Sequence, residues 1–145
     1  MYLVKVPAIS DELYEAVCKL VPQLGAHKPI PTRAELESLV DSESSDLWIA
    51  RYPDRSGVIA GMLTISMYRV PTGLRSIVED VVVDQALRRR GIAEALLQAA
   101  IESARAAGAN SVMLTSNPQR EAANLLYRSI GFEQRVTNSY FYPLK

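Results

Sequence analysis

The sequence has almost no cysteine or histidine. Among 145 residues there is one of each, Cys18 and His27. No intramolecular disulfide can form, and a single histidine without a cysteine partner does not build the usual zinc site. Cys18 lies in an amphipathic stretch with no candidate base beside it, which favours a small packed side chain over a nucleophile. The composition therefore predicts no metal and no covalent cysteine intermediate.

Excess charge and long apolar runs are also lacking. Sixteen basic and sixteen acidic side chains give a formal net charge of zero, so bulk charge favours neither nucleic acid nor a membrane surface as a partner. No apolar run approaches the ~18 residues of a membrane span. The N-terminus also lacks the basic and apolar regions of a signal peptide. We expect a cytoplasmic protein with no nucleic-acid or membrane partner.

The first half of the chain predicts two helices and four strands. Ser10, followed by two acidic residues, marks one helix start, and the pair Thr32 and Glu35 forms a capping box for another. The predicted strands are Met1–Val6, Leu47–Arg51, Val58–Arg69 and Ser76–Val83. Because turns join the last three strands, we expect them to be antiparallel neighbours.

The second half alternates strands and helices. A helix is predicted over Gly91–Ala107 with Gly108 at its end, and another over Pro118–Ile130 with Asn117 as its cap. Further short strands are predicted at Ser111–Thr115, Phe132–Val136 and Tyr140–Leu144. A helical crossover returns the chain in the same direction, so at least one strand pair is parallel. We expect one α/β domain over residues 1–145, with a mixed sheet.

The segment Val81–Ala93 carries the clearest chemical signal. An apolar strand ends in the basic loop Arg88-Arg89-Arg90, which runs through Gly91 directly into a helix. The first N–H groups of a helix have no internal partner, and the helix dipole adds partial positive charge there. A pyrophosphate would suit this position. Two alternatives are a solvated turn and a nucleic-acid contact; the phosphate-binding P-loop and dinucleotide patterns are both absent.

Two ordered motifs make the sequence resemble the GNAT family of N-acetyltransferases. The residues Arg88-x-x-Gly91-x-Ala93 are similar to the family's Q/R-x-x-G-x-G/A signature. The later segment from Asn117 to Tyr127, followed by Gly131-Phe132, resembles the family's second motif. The resemblance is specific from about Val78 to Phe132 and weaker before Leu47.

The resemblance implies a fold and a co-substrate. The fold would be a mixed, mostly antiparallel sheet with a central splayed parallel strand pair, flanked by helices. Acetyl-CoA would be the co-substrate, with its pantetheine arm between the splayed strands and its pyrophosphate on the basic loop. The implied cofactor-binding residues are Val81, Val82, Val83, Arg88, Arg89, Arg90, Gly91, Ile92, Ala93, Asn117, Arg120, Asn124 and Tyr127. Many family members carry asparagine where this chain has Arg120, so Asn117 or Asn124 would supply the pantetheine contact instead.

The resemblance also implies catalytic roles. Tyr127 would act as general acid for the departing thiolate, and Glu79 would accept the amine proton through water. Glu79 and Asp80 would together line the acceptor site. Simple alternation places Glu79 on the strand face of Val81 and Val83, with Asp80 on the other face. The alternatives are that Tyr127 only covers the core and that one of the two carboxylates only faces solvent.

The acceptor is predicted as a primary amine of a small molecule or peptide. In the family, the first helices and last strands shape the acceptor site, here roughly Ser10–Val40 and Arg135–Tyr142. These segments carry no acidic cluster, which disfavours a polycationic acceptor such as an aminoglycoside. The family also includes homodimers, so a homodimer is one possible state of this chain. The sequence does not decide whether acyl groups other than acetyl are transferred. The alternative function is a catalytically weak acyl-CoA-binding regulatory module of the same fold.

Overall fold

A computed structural model describes all residues, Met1–Lys145, in two compact units, residues 1–114 and 115–145. The strands of the first unit are β1 (Tyr2–Lys5), β2 (Ser45–Tyr52), β3 (Val58–Val70), β4 (Gly73–Val83) and β5 (Val112–Met113). Its helices are α1 (Asp11–Leu20), α2 (Arg33–Val40) and α3 (Ile92–Ala107), with short 3₁₀ turns at Val21–Gln23 and Gln85–Leu87. The second unit contains the helix α4 (Glu121–Ile130).

The five strands form one mixed sheet in the order β1-β2-β3-β4-β5. The first four strands are antiparallel neighbours, and β4 pairs with β5 in parallel. The α/β class, the mostly antiparallel sheet and its parallel pair are thus confirmed. The parallel pairing covers only Ser76 with Val112 and Ile77 with Met113. Beyond Ile77, β4 continues to Val83 without a strand on that side, because β5 is shorter than predicted.

A β-bulge interrupts β4 in its second half. Thr64 pairs with Glu79 and Met62 with Val82, so residues 80–81 of β4 lie opposite the single residue between them on β3. Antiparallel partners share a sheet face, which places Glu79 on the face of Val82. The predicted grouping of Glu79 with Val81 and Val83 is therefore wrong, because an extra residue reverses the alternation.

Helices cover both faces of the sheet. The cap predictions are confirmed: the Ser10 Oγ accepts the Leu13 N–H, and Thr32 and Glu35 form the capping box. α3 packs Ile92, Leu96, Leu97, Ala100 and Ala104 against its face of the sheet. On the other face, α1 and α2 close a core of Val6, Leu13, Val17, Leu20, Val21, Leu36, Leu47, Ile49, Met62 and Val82. Cys18 is half-buried on α1.

In the second unit, α4 begins later than predicted. It starts at Glu121 instead of Pro118. The Asn117 Oδ1 accepts the Gln119 N–H at 2.9 Å, and the Arg120 N–H bonds to the Asn117 carbonyl at 3.0 Å. Asn117 therefore closes a turn before the helix, and a side-chain hydrogen bond of this kind competes with helix formation. Gly131 ends α4 as predicted, with a φ of 122°.

The tail, residues 132–145, contains no helix and no strand, and beyond Phe132 every residue is exposed. The predicted strands Phe132–Val136 and Tyr140–Leu144 are therefore wrong. Alternating apolar residues indicate which side of a strand is buried, but a strand also needs a hydrogen-bonded neighbour, and none pairs with this segment. None of the helices has the length and continuous apolar character that crossing a bilayer requires.

Candidate active site

The carboxyl end of β4 is tied to α1 through a buried acid. Asp84 is only 6% exposed and forms a 2.9 Å ion pair with Lys19. The hydrogen bond from Lys19 and then the backbone N–H of Ala86 hold the pKa of Asp84 below its usual value. The Gln23 Oε1 also accepts the Gln85 N–H at 2.8 Å. The turn that follows β4 is thereby fixed to the first helix and its extension.

The arginine loop, Arg88–Gly91, comes next, and all its residues are exposed. The Arg88 Nε donates to the Val83 carbonyl at 3.3 Å. The Arg90 guanidinium lies 5.3 Å from the ring centroid of Tyr52 and donates to its hydroxyl at 3.4 Å. Arg89 has a left-handed backbone, with a φ of 62°. Two of the three cations, Arg88 and Arg90, are thus held at this exposed corner by contacts with β4 and β2.

Gly91 caps the N-terminus of the 16-residue helix α3 with a φ of 76°. A Cβ at Gly91 would meet nothing within 4 Å, so packing within the chain does not require a glycine at this position. Left-handed residues such as Arg89 and Gly91 help to gather backbone N–H groups into anion-binding concavities. The free N–H groups of the first helical turn and the dipole of α3 point to the same use. Ile92 is buried beneath this turn and Ala93 is half-buried.

The second half of β4 offers an unpaired backbone edge beside this loop. Val81 is half-buried, whereas Val82 and Val83 are buried, so their side chains are largely fixed by packing. No strand pairs with this part of β4 on the β5 side. An extended ligand can add to such an edge through main-chain hydrogen bonds. The bulge at residues 80–81 supplies a further backbone position outside the regular ladder.

A cavity of about 360 Å³, here called the α1–α2 cavity, opens between the first helices and the sheet. Its apolar wall includes Val17, Leu36, Leu39, Leu47 and Met62. Its polar groups are Lys28, Glu35, Thr64 and Asp80. Asp80 lies at the bulge with a φ of 51°, a conformation that costs energy for a residue other than glycine. Such strain is typical of residues that the surrounding structure positions for function.

The two carboxylates at the bulge are both exposed. Neither therefore carries the desolvation cost expected for an acid in a buried strand. Asp80 lines the α1–α2 cavity, and Glu79 lies on the sheet face of its partner Thr64, which also lines that cavity. The structure thus brings both predicted acidic site residues to one sheet face beside one cavity.

The second unit positions the remaining predicted residues on and before α4. Tyr127 is 7% exposed, and its ring packs edge-on against Phe132 with centroids 6.1 Å apart. The Asn124 Nδ2 donates to the Asn117 carbonyl at 3.0 Å, so these two predicted contacts lie together. Arg120 is exposed at the N-cap of α4.

Sequence reasoning missed several residues that shape the first unit. Asp84 could have been noticed as an acid directly after a buried strand, a position that requires a partner. Lys28 and Thr64 line the α1–α2 cavity without any local signal, because only the folded chain brings their segments together. No group of three or more His, Cys, Asp or Glu residues is arranged to hold a metal ion.

Several solved structures of similar architecture are named acetyltransferases, and one, from Bacillus halodurans, is named a transcriptional regulator. A probable acetyltransferase has a TM-score of 0.86 and 22% identity, covering 100% of this chain and 99% of that one. A Trypanosoma brucei acetyltransferase has a TM-score of 0.77 and 21% identity, covering 98% and 99%. An aminoglycoside acetyltransferase from an uncultured soil metagenomic sample has a TM-score of 0.82 and 20% identity, covering 99% and 96%. At these identities the similarity shows the fold.

The sequence itself shows the family. No curated protein sequence matches this chain. The model of the acetyltransferase (GNAT) family, however, matches residues 11–132, which include β4, the arginine loop, α3 and α4. The match therefore covers well over half of the chain, and with it the loop, the bulge and the helix that carry the candidate site. The chain belongs to the acetyltransferase (GNAT) family.

Proposed function

We propose that this chain is an acetyl-CoA-dependent N-acetyltransferase that moves an acetyl group to a primary amine of a small molecule or peptide. The transfer occurs by direct attack in a ternary complex. The observation that carries the proposal is the order of three features along the chain, here together called the β4 path. A bulge in β4 is followed by an unpaired edge of the same strand and then by the arginine loop, which leads directly into the N-terminus of α3. Family membership supports acetyl transfer, and this path supports a bound CoA thioester beside an acceptor cavity.

The residues of the path fit CoA. The backbone N–H groups from Arg89 to Ala93 would bind the pyrophosphate, because Gly91 leaves the space before them open. The Arg88 and Arg90 side chains would add charge at the rim. The backbone of Val81 and Val83 would bond the pantetheine arm as an added strand would, with Val82 packed beneath.

The second unit would complete cofactor binding and supply a proton. Asn117 and Asn124 would contact the pantetheine amides, and Arg120 a phosphate. The Tyr127 hydroxyl would donate its proton to the departing thiolate. Within residues 115–145 no other group bonds to that hydroxyl, which leaves it available to donate.

The bulge supplies the acceptor side of the reaction. Acetyl-CoA brings an activated acetyl thioester, and a β4 backbone N–H at the bulge would polarise its carbonyl. Asp80 would bind the amine, and Glu79, through water, would take its proton before attack. Nothing in the fold or the comparisons favours the alternative of a catalytically weak regulatory module.

Two measurements test the proposal. CoA should raise the melting temperature of the protein and pantetheine much less, because the loop binds the pyrophosphate. Release of free CoA thiol should depend on an added primary amine, with a stoichiometric acetylated product seen by mass spectrometry. If millimolar CoA neither binds nor shifts the melting temperature, and no amine is acetylated, the proposed function is wrong.

A further inference from the structure

We propose that the acceptor is a monoamine with one bulky apolar group, and that this group fills the α1–α2 cavity while the amine lies at Asp80. The proposal rests on the proposed function. It narrows the acceptor from any primary amine to a class that excludes polyamines, aminoglycosides and very small amines.

The size and walls of the cavity support an apolar occupant. Its volume, about 360 Å³, falls in the ~300–1,000 Å³ range of small-molecule sites. Leu36, Leu47 and Met62 are each less than 5% exposed, so these walls are set by the core and not by mobile surface side chains. Apolar groups gain by leaving water for such a surface. The cavity therefore favours an aliphatic or aromatic body over a hydroxylated one.

The charges around the cavity support a single amine. Of its two carboxylates, Glu35 already accepts the Thr32 N–H as part of the capping box. Asp80 takes part in none of the five ion pairs of the structure. The third charged group, Lys28, is cationic and would repel a second ammonium. Glu35 is thus engaged at the start of α2, whereas Asp80 is the carboxylate beside the bulge of β4, so we place the amine at Asp80; a second positive charge would meet Lys28 or the apolar wall.

A comparison of matched amines tests the class. The kcat/KM for acetylation should be about tenfold or more higher for hexylamine than for ethylamine, because only the hexyl chain is long enough to pack along the apolar wall of the cavity. The kcat/KM should also be about tenfold or more higher for hexylamine than for 1,6-diaminohexane, which has the same chain with a second ammonium group. The proposal would be overturned if ethylamine, the diamine or the aminoglycoside sisomicin were acetylated as well as hexylamine or better. So would a preference for phenylalanine over phenethylamine, since Lys28 would then bind a carboxylate.

Filling the cavity gives an independent test. Leu39→Trp should lower the ratio of kcat/KM for hexylamine to that for ethylamine by about tenfold. Ser38→Trp, on the exposed side of the same helix, should leave the ratio as in wild type. Equal ratios in wild type and Leu39→Trp would contradict the placement of the apolar group.

A binding measurement separates this proposal from the proposed function. 1-Hexanol carries the apolar group without the amine, so it should raise the melting temperature of wild type but not of Leu39→Trp. If hexanol binds in this way and no amine is acetylated, the proposed function fails while the cavity assignment stands. If amines are acetylated but hexanol does not bind and diamines are preferred, the function stands and the acceptor class is wrong.

Discussion

The two units hold their candidate site residues by different means. In residues 1–114, the loop and the cavity lie between five paired strands and three packed helices. In residues 115–145, the site residues lie on one helix and the turn before it, followed by a tail without strand pairing. The paired strands and packed helices of the first unit can therefore hold binding surfaces in a fixed geometry. The single helix of the second unit can present one reactive side chain. We expect changes in the first to alter binding and stability, and loss of the Tyr127 hydroxyl in the second to alter rate.

The largest expected effect comes from the second unit. Tyr127→Phe keeps the ring that packs against Phe132 and removes the hydroxyl. General-acid assistance is typically worth ~10²–10⁴ in rate, but the CoA thiolate is not a strongly basic leaving group, so kcat should fall by about one to three orders of magnitude. Steady-state kinetics on any accepted amine, with CoA affinity from calorimetry, would measure both quantities.

The rate effect should be specific to this tyrosine. CoA affinity should stay within about twofold in Tyr127→Phe, because no binding group near the pyrophosphate changes. Tyr68→Phe, at an exposed tyrosine of β3, serves as the control and should retain full kcat. Wild-type kcat in Tyr127→Phe would remove the residue from the mechanism and leave solvent as the proton source.

The next largest effect is expected in the first unit, where two glycine substitutions distinguish a loss of CoA binding from a loss of stability caused by backbone strain. Gly91 and Gly108 are at opposite ends of α3, with φ values of 76° and 82°, and an added Cβ meets nothing within 4 Å at either. Alanine at each should cost a similar ~1–2 kcal/mol of folding free energy, since both positions are left-handed. Only Gly91→Ala should weaken CoA binding, by about tenfold or more, because its methyl group enters the space before the helix.

Calorimetric titration of CoA into both folded variants decides between these outcomes. Parallel urea unfolding would check that their stabilities fall together. Equal CoA affinity in Gly91→Ala and Gly108→Ala would show that the pyrophosphate does not approach Gly91.

A smaller effect is expected at the tie between β4 and α1. Asp84→Asn keeps the shape of the side chain but removes the charge opposite Lys19. The free energy of unfolding at neutral pH should fall by about 1–3 kcal/mol, since Asp84 is buried while Lys19 is largely exposed. Urea unfolding at neutral pH, with Asp46→Asn as a more exposed ion-pair control, would measure it.

The pH dependence of that difference provides a further check. Folding lowers the pKa of Asp84, so its contribution to stability is complete above the ordinary Asp value of ~3.9 and is lost as pH falls toward the lowered value. The stability gap between wild type and Asp84→Asn should therefore be constant near neutrality and shrink in acid. A gap that grows in acid would contradict the assigned ion pair.

The smallest expected effect returns to the second unit. Asn124→Ala removes the 3.0 Å hydrogen bond to the Asn117 carbonyl and the proposed pantetheine contact. One such bond is worth ~0.5–1.5 kcal/mol, so the Kd for CoA should rise by about two- to tenfold. Ser129→Ala removes a comparable 2.7 Å bond to the Leu126 carbonyl on the same helix and should leave Kd unchanged. Equal effects of both variants would indicate loss of helix stability alone.

Local signals in the sequence predicted the features that local chemistry determines. The caps at Ser10 and Thr32 and the left-handed Gly108 at the end of α3 occur where the residue types predict them. Each depends on hydrogen bonds or backbone preferences within a few residues. The arginine loop could be located for the same reason.

Features that depend on distant partners were not predictable. The bulge at Asp80 arises from the register between β3 and β4, which no local pattern encodes. The α1–α2 cavity combines segments as far apart as Val17 and Asp80. The tail has an alternating pattern but no paired neighbour, so its predicted strands are absent. The sequence predicts Asn117 as the cap at the start of α4, whereas its side chain closes a separate turn before the helix. The roles assigned to Tyr127 and Glu79 stay predictions.

The ion pair between Asp84 and Lys19 has a consequence for how the binding of two ligands is coupled. α1 contributes Val17 to the cavity wall and Lys19 to the ion pair with Asp84, which directly precedes the turn leading to the arginine loop. One short helix thus borders the α1–α2 cavity and is bonded to the strand end that precedes the arginine loop. If binding at the loop changes the position of α1, the two ligands are thermodynamically coupled. By reciprocity, any factor by which CoA tightens amine binding is the factor by which the amine tightens CoA binding.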